Sequence, residues 1–185
     1  MPVVPLLLWA LVGTLLLIAL SWRAFRRPRS HGFFRFFALE SILWLVLLNA
    51  SVWFRRPLAP LQLLSWLLLV VSGGLALHGF HLLYHRGQPS APEAGSPLFL
   101  IENTAALVTT GAYRFIRHPL YTSLLCFSWG VALKSLTALS GCLAVLATVF
   151  LIATAKSEEA ENIARFGEAY RVYMAHTHLL IPFLL

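Results

Sequence analysis

The chain has 185 residues, of which 59% are hydrophobic and only 11% are charged, and it contains no Asp. A soluble domain of this length would carry far more charge on its surface. The composition therefore excludes an ordinary soluble protein and indicates an integral membrane protein. The net charge is +7, but no motif accompanies it that would indicate a nucleic-acid partner. Membrane topology accounts for most of this charge, and attraction to anionic lipid headgroups is a further expected consequence.

Four apolar stretches follow one another along the chain. A helix needs about 20 apolar residues, each adding about 1.5 Å, to cross a bilayer. Residues 3–22, 36–54 and 61–84 each satisfy this length. The stretch 120–155 is too long for one span and is interrupted at Lys134 and Ser135, which predicts a tight helical hairpin with a short first arm. We therefore expect an all-α membrane bundle of about five transmembrane helices.

The basic residues predict how this bundle is oriented, because Lys and Arg concentrate on the cytoplasmic side of a membrane. With five spans, one side of the membrane holds only three basic residues, Arg55, Arg56 and Lys134. The other side holds the remaining basic residues, which are Arg23, Arg26, Arg27, Arg29, Arg35, Arg86, Arg114, Arg117, Lys156, Arg165 and Arg171. We therefore expect the N-terminus outside and the C-terminus in the cytoplasm, with a bacterial inner membrane as the location.

The chain reads as a single domain in three parts. Residues 1–86 hold the three N-terminal spans, residues 87–104 form a cytoplasmic loop rich in Gly, Pro and Ser, and residues 105–185 hold the remaining polar motifs. The loop is either a passive connector or a lid.

A cytoplasmic C-terminal helix is predicted after the fifth span. Over residues 156–175 the apolar side chains recur at three- and four-residue steps, which is the period of one helix face. They are Ile163, Phe166, Tyr170 and Tyr173. This face must pack on either the lipid surface or the cytoplasmic loop. The final apolar residues, 179–185, are too few to span the membrane, and we expect them to fold back against the bundle.

The most informative polar residues stand directly before the fourth apolar stretch. Residues 111–121 read Gly-Ala-Tyr-Arg-Phe-Ile-Arg-His-Pro-Leu-Tyr. Polar groups at a bilayer boundary are costly to bury without partners, which makes Arg114, Arg117, His118 and Tyr121 candidates for a site. The alternative is plain anchoring, since Arg and Tyr often mark helix ends at the interface.

A second polar group, Glu158 and Glu159, follows the fifth span directly. The short first arm of the hairpin should bring these carboxylates to the same depth as Arg117 and His118. Carboxylates can hold an ammonium or ribose hydroxyls, Arg and His can donate to a carboxylate, and a Tyr ring can contact a sulfonium or an adenine. A solvated helix face is the alternative explanation of the Glu pair.

Together these motifs resemble the isoprenylcysteine carboxyl methyltransferase and phospholipid methyltransferase superfamily. The matching pieces are residues 107–121, the Glu pair, residues 166–173 and Ile181-Pro182. The resemblance implies an integral membrane methyltransferase that uses S-adenosylmethionine and releases S-adenosylhomocysteine. The implied acceptor is lipidic or a small molecule that partitions into the membrane, with either an isoprenylcysteine-type carboxylate or a phospholipid-type amine.

The resemblance also implies that residues 105–185 bind the cofactor. The residues that it and the polar groups single out are Ala105, Ala106, Leu107, Val108, Tyr113, Arg117, His118, Pro119, Leu120, Tyr121, Glu158 and Glu159. Three departures are Ser123 in place of a frequent Gly, Ala105 or Ala106 in place of a His, and Thr154 in place of a substrate-binding Arg of the isoprenylcysteine enzymes. The departures weaken the substrate assignment more than the cofactor assignment.

Methyl transfer from a sulfonium depends mainly on alignment of the reacting groups. A carboxylate acceptor needs no base, whereas an amine must lose a proton, for which Glu159 or His118 is the candidate base. The sequence assigns no catalytic residue and no oligomeric state.

Two other classes compete with this interpretation. One is a non-catalytic binding or scaffold protein with the family fold. The other is a metal-dependent lipid oxidoreductase similar to the membrane desaturases, because His78, His81 and His85 have a spacing that suits metal ligands. The desaturases carry about eight histidines with adjacent pairs, whereas this chain has seven and no such pair. We therefore predict no metal site and expect these histidines at the interface or beside the acceptor. Glu40 and Asn49, within the second span, are expected to form interhelical hydrogen bonds.

Overall fold

The computed structural model describes residues 3–28, 30–88 and 104–182. Over these residues the fold is all-helical, as predicted, with one isolated bridge between Ile116 and His178. The six α-helices are α1 (Val3–Phe25), α2 (His31–Asn49), α3 (Pro60–Arg86), α4 (Pro119–Ala132), α5 (Ala138–Phe166) and α6 (Glu168–Ala175). Most of the predicted cytoplasmic loop lies outside the described residues.

Four of these helices are long and apolar enough to cross a membrane: α1, α3, α5, and α2 with the short 3₁₀ helix that extends it to Val52. This finding fits the predicted integral membrane protein. Helix α4 has 14 residues, or about 21 Å, which is shorter than a hydrocarbon core of about 30 Å. The expected total of five spans therefore stays a prediction.

Local signals define where the helices begin. Ser30 caps α2 by accepting a hydrogen bond from the Phe33 N–H at 3.4 Å, and Thr137 caps α5 by accepting one from the Ser140 N–H at 3.1 Å. Pro60 and Pro119 occupy the first positions of α3 and α4, where no backbone N–H is needed. We call the end of the bundle where α2 and α4 begin the site end. The opposite end, where α4 turns into α5 through residues 133–137, is the turn end.

The bundle pairs α2 with α5 and α3 with α4. Small residues at the contacts, among them Ala38, Ala132, Ala144 and Ala155, let the backbones approach closely. Side-chain hydrogen bonds also join the helices, as predicted for the polar residues of α2. Glu40 Oε1 accepts from Thr14 of α1 at 2.7 Å, and Asn49 donates to Ser140 of α5 at 3.5 Å.

The prediction of one continuous helix over residues 156–175 is wrong. Helix α5 runs on to Phe166, Gly167 breaks it with a φ of +59°, and α6 starts at Glu168. A positive φ suits glycine, which has no Cβ to clash with the backbone. The expected return of the C-terminal residues against the bundle is confirmed where the structure describes it, because Leu179 and Leu180 are buried in the core around Leu151. Residues 183–185 of that segment lie outside the described residues.

Candidate functional site

The segment before α4 is held in place by residues 176–181, which we call the C-terminal strap. The two run side by side like short parallel strands. Arg117 N–H donates to the His178 carbonyl at 2.8 Å, and His118 N–H donates to the Leu179 carbonyl at 3.2 Å. Within α4, the Thr122 hydroxyl donates to the Leu180 carbonyl at 2.7 Å. The strap therefore fixes the backbone of the predicted motif.

Helix α3 and helix α6 hold the turn that carries Tyr113. The hydroxyl of Tyr173 on α6 donates to the Tyr113 carbonyl at 2.6 Å. On the other side, His78 Nε2 accepts from the Ala112 N–H at 3.3 Å. Gly111 has a φ of +62°, and a Cβ there would come within 2.5 Å of His78 Nε2. Only glycine fits this close approach, which keeps Tyr113 beside α3.

The site end also brings together the two polar groups that are distant in sequence. The Tyr121 hydroxyl donates to Glu158 in a short hydrogen bond. Arg117 pairs with Glu159, and the same guanidinium donates to the carbonyls of Thr177 and Met174. The Arg117 side chain is thus held by three partners and is only 11% exposed.

His118 lies between the two carboxylates. Its Nδ1 is 3.8 Å from Glu158 Oε2, and its Nε2 is 4.0 Å from Glu159 Oε1. The ring stacks on Tyr121 with centroids 5.4 Å apart. Nε2 is buried and has no hydrogen-bond partner among the residues that the structure describes. An unpaired buried nitrogen is costly, which makes His118 a candidate functional residue and not a simple packing residue.

Burial sets the protonation of the site. Burial lowers the pKa of His118 to about 4, although the Glu159 carboxylate opposes this shift. The imidazole is therefore neutral near pH 7 and has one nitrogen that can accept a proton. Burial also raises the pKa of Tyr113, Tyr170 and Tyr173, so these phenols stay protonated and remain donors.

These groups surround a cavity of about 650 Å³, its open mouth included. Eight of the residues that the sequence singled out line it: Leu107, Val108, Tyr113, Arg117, His118, Leu120, Tyr121 and Glu158. The other four do not line it. Ala105 and Ala106 join the end of α3 through backbone hydrogen bonds, Pro119 starts α4, and Glu159 faces Arg117.

Sequence reasoning missed six lining residues: Leu83, Thr104, Asn162, Phe166, Tyr170 and Tyr173. Three of them, Phe166, Tyr170 and Tyr173, belong to the C-terminal apolar face, for which a lipid or loop partner was expected. The periodicity of these apolar residues correctly indicated a face that packs on another part of the protein. It did not reveal that this face lines the cavity. Asn162 lies one helical turn after Glu158, which is the signal that could have found it.

The structure also accounts for two departures from the family pattern. Thr154 is fully buried, and its hydroxyl donates to the Phe150 carbonyl of its own helix at 2.7 Å. It offers no group to the cavity in place of an Arg. Ser123 likewise bonds within α4, to the Leu120 carbonyl at 2.7 Å.

The three histidines of α3 do not act as a unit. His78 supports the Tyr113 turn, whereas the rings of His81 and His85 contact each other with centroids 4.4 Å apart. Among the described residues, no three His, Cys, Asp or Glu side chains are grouped to hold a metal ion.

The long apolar helices define an integral membrane protein, with a cavity at one end of its bundle. The chain belongs to the phospholipid methyltransferase family, whose sequence model matches residues 61–168. The resemblance seen in the sequence, to a superfamily of membrane methyltransferases, is thereby confirmed. The match covers α3, α4 and α5, and leaves α1, α2 and the C-terminal strap outside.

The chain is also similar to two methanethiol S-methyltransferases. The protein from Pseudomonas deceptionensis is 29% identical over 125 residues, which are 68% of this chain and 45% of that protein. The protein from Pseudomonas sp. strain GM41 is 33% identical over 70 residues, which are 38% of this chain and 26% of that protein. The chain thus spans less than half the length of these relatives. No solved structure matches it.

Proposed function

We propose that the cavity at the site end binds S-adenosylmethionine and that the protein transfers its methyl group to a thiol or an amine. The observation that carries this proposal is that Glu158 and His118, 40 positions apart in the sequence, line one cavity and are joined through Tyr121. The sequence motif and the family membership agree with this use of the cavity.

The groups that line the cavity fit the cofactor. Two carboxylates, Glu158 and Glu159, lie at the site beside the one guanidinium of Arg117, and this pair of acidic groups suits an ammonium and a sulfonium. Glu158 and Asn162 offer acceptors for ribose hydroxyls, and the protonated phenols of Tyr113 and Tyr170 offer donors. Leu107, Val108 and Leu120 supply an apolar wall for an adenine ring.

The protein acts mainly by positioning. When bound, the cofactor supplies an electrophilic methyl group. The buried His118, the Tyr121–Glu158 hydrogen bond and the strap hold the lining groups rigidly, which aligns an acceptor and reduces the entropy lost at the transition state. The apolar wall excludes water from the same space.

The charges of the site favour an acceptor without a carboxylate. Among the described lining residues the one Lys or Arg is Arg117, and its charge is already paired with the Glu159 carboxylate. Thr154, which replaces the substrate-binding Arg, points its hydroxyl into its own helix. A carboxylate acceptor would therefore meet Glu158 with no free cation beside it.

A thiol or an amine fits better because each carries a proton that must leave before methylation. His118 is the proposed acceptor of that proton, because the imidazole is neutral and the Glu159 carboxylate, 4.0 Å from Nε2, would stabilise the imidazolium that forms. The similarity to methanethiol S-methyltransferases supports a thiol, and the family description supports an amine on a lipid. Both kinds of acceptor partition into a membrane or reach its interface.

The proposed arrangement in the membrane follows the charge pattern of the sequence. We propose that α1, α2, α3, α4 and α5 all span the bacterial inner membrane, and that α4 is the shortest of these five spans. The N-terminus lies outside, and the site end faces the cytoplasm, from which the cofactor enters. The acceptor reaches the cavity from the bilayer side.

Calorimetric titration of the detergent-solubilised protein with S-adenosylhomocysteine tests the cofactor proposal. We expect binding in the micromolar range, weakened about tenfold or more in Glu158→Gln, which corresponds to about 1.4 kcal/mol. Glu168→Gln is the matched control, because Glu168 is an exposed carboxylate of α6 that contacts only Arg171 among the described residues. Absence of binding to the wild type at high micromolar ligand would overturn the proposal and favour a scaffold.

Product analysis tests the acceptor. The wild type is incubated with isotopically labelled S-adenosylmethionine and, in separate reactions, a small thiol, a phospholipid amine or a prenylcysteine carboxylate, and the products are identified by mass spectrometry. We expect label in the thiol or the amine. Label confined to the carboxylate would contradict the acceptor class and leave the cofactor proposal intact.

A further inference from the structure

We infer that His31 of α2 is a positioning residue for the cofactor site, because it holds Glu161 and thereby sets the rotation of the part of α5 that carries Glu158. The inference rests on the proposed function. It assigns a role in the site to α2, which the family match does not reach.

His31 makes two contacts with one carboxylate. Its Nδ1 lies 2.7 Å from Glu161 Oε2, and its backbone N–H donates to Glu161 Oε1 at 3.4 Å. The imidazole is completely buried, whereas the Glu161 side chain is 40% exposed. His31 is the first residue of α2, so the carboxylate also meets the positive end of the helix dipole. Glu161 is therefore held by a buried, preorganised partner.

The cytoplasmic part of α5 needs such a contact. Up to Ala155 the helix is anchored by buried residues such as Leu151 and Thr154, but none of residues 156–166 is fully buried. Apolar packing therefore fixes its rotation only weakly beyond Ala155. Polar contacts take over along three successive faces: Glu158 with Tyr121, Glu159 with Arg117, and Glu161 with His31.

Of these three contacts, the one to His31 lies outside the cavity wall. Glu158 and Arg117 line the cavity and will contact a ligand, so their own contacts change when the site fills. His31 and Glu161 do not line it and can hold α5 in both states. A turn of α5 by a few tens of degrees would carry Glu158 and Asn162 away from the cavity together. His31 acts on the site through Glu161 and is not itself a catalytic residue.

The charge interactions of His118 agree with a position of His31 close to the site. Burial is the largest cause of the lowered pKa of His118, and the positive charges of Arg117 and His31 act in the same direction. The two imidazoles are thus near enough to interact, although they belong to different helices. Glu161, the partner of His31, lies on the same helix as Glu158.

The test compares two polar contacts of the same helix pair. Asn49 lies at the other end of α2, is also buried, and also donates to α5, at Ser140. His31→Ala and Asn49→Ala each remove one α2–α5 contact, but only the first is next to the site. S-adenosylhomocysteine affinity is measured by calorimetry and thermal stability by a dye-based melt, both in the same detergent.

We expect His31→Ala to weaken S-adenosylhomocysteine binding by about tenfold, while Asn49→Ala changes it less than about twofold at a similar loss of thermal stability. His31→Asn should restore most of the affinity, because its amide nitrogen can donate from nearly the position of Nδ1. Should His31→Ala not fold, Glu161→Ala removes the same contact from a side chain that is partly exposed, and we expect a loss of about fivefold.

Equal affinities for the wild type, His31→Ala and Glu161→Ala would overturn the inference while leaving the proposed function in place. Equal losses of affinity in His31→Ala and Asn49→Ala would also overturn it, because His31 would then be an ordinary packing residue. No binding to the wild type would overturn the proposed function, and the inference with it.

Discussion

Arg117 at the site end and Lys134 at the turn end are both largely removed from solvent, but they are held in different ways. At the site end, Arg117 meets the Glu159 carboxylate and the carbonyls of Thr177 and Met174. At the turn end, Lys134 Nζ lies 3.2 Å from the centroid of the Trp66 ring and 5.5 Å from that of Trp53. The Lys134 ammonium has no hydrogen-bond partner among the described residues.

The comparison shows what a site requires beyond a buried charge. A guanidinium and a carboxylate have fixed bonding directions, so their partners must be placed accurately, and the strap and α5 supply those partners. A lysine against aromatic rings is held by a less directional attraction, which can join helices without defining an orientation. The ordered polar groups around Arg117 are therefore the ones that can position a ligand.

The largest predicted effect is that of Arg117→Ala. The substitution leaves the Glu159 carboxylate, only 12% exposed, without its cation. It also removes the donor to the carbonyls of Thr177 in the strap and Met174 in α6. Breaking a buried ion pair in this way costs about 3–5 kcal/mol. We expect a thermal melt of the purified protein to show a large loss of stability, or no folded protein at all. A melting temperature close to that of the wild type would contradict the role given to Arg117.

Two further substitutions separate the contributions at this end. Tyr173→Phe removes the hydroxyl that bonds the Tyr113 carbonyl, which leaves a buried acceptor unpaired and costs about 1–3 kcal/mol. We expect reduced thermal stability and weaker S-adenosylhomocysteine binding, since Tyr113 lines the cavity. Tyr84→Phe is the matched control, because Tyr84 lies on α3 and is largely exposed. Equal behaviour of the two variants would show that α6 does not support the site.

The buried His118 predicts a pH dependence of stability. Its pKa in the folded protein is about 4, below the ordinary value of 6.5, so the unfolded chain takes up this proton first as the pH falls. The stability contributed by the neutral imidazole is complete above about pH 6.5 and is lost toward pH 4, at up to about 1.4 kcal/mol per pH unit. An asparagine at position 118 takes up no proton in this pH range, so the variant His118→Asn lacks this pH dependence.

Thermal melts without ligand at about pH 7.5 and pH 5 measure this difference. We expect the wild type to lose more stability between these two values than His118→Asn does. The comparison within one pair of proteins removes the contribution of the other titrating groups. An equal or smaller loss in the wild type would show that His118 is not held neutral by burial.

The smallest predicted effect is that of Lys134→Met at the turn end. Methionine keeps the length and the contact with the Trp66 ring, and it removes a buried charge that has no hydrogen-bond partner among the described residues. We expect the thermal stability to change by less than about 1 kcal/mol in either direction, and S-adenosylhomocysteine binding to stay unchanged. A loss as large as that of Arg117→Ala would remove the distinction between the two ends.

The sequence predicted the parts of the molecule that depend on local pattern. The apolar runs marked α1, α2, α3 and α5, because hydrophobic length alone identifies such helices. The spacing of His118, Tyr121 and Glu158 also placed these residues together, since a short helix and its neighbour must return to the same depth. Family resemblance then supplied their interpretation as a cofactor site.

Other parts could not be predicted because they depend on backbone conformation or distant contacts. The break at Gly167 arises from a positive φ, and helix periodicity does not record it. The strap binds through carbonyl groups, such as those of His178 and Leu179, which carry no side-chain signal. His31 and Glu161 are 130 residues apart, and nothing in either local pattern indicates the other.

A crystal or electron cryo-microscopy structure of the full chain with S-adenosylhomocysteine is the most direct test of the account. We expect density for the nucleoside in the cavity between the imidazole of His118 and the carboxylate of Glu158, with Tyr113 and Asn162 in contact. Density for the ligand elsewhere on the protein, with this cavity filled only by solvent, would contradict the assignment of the site end.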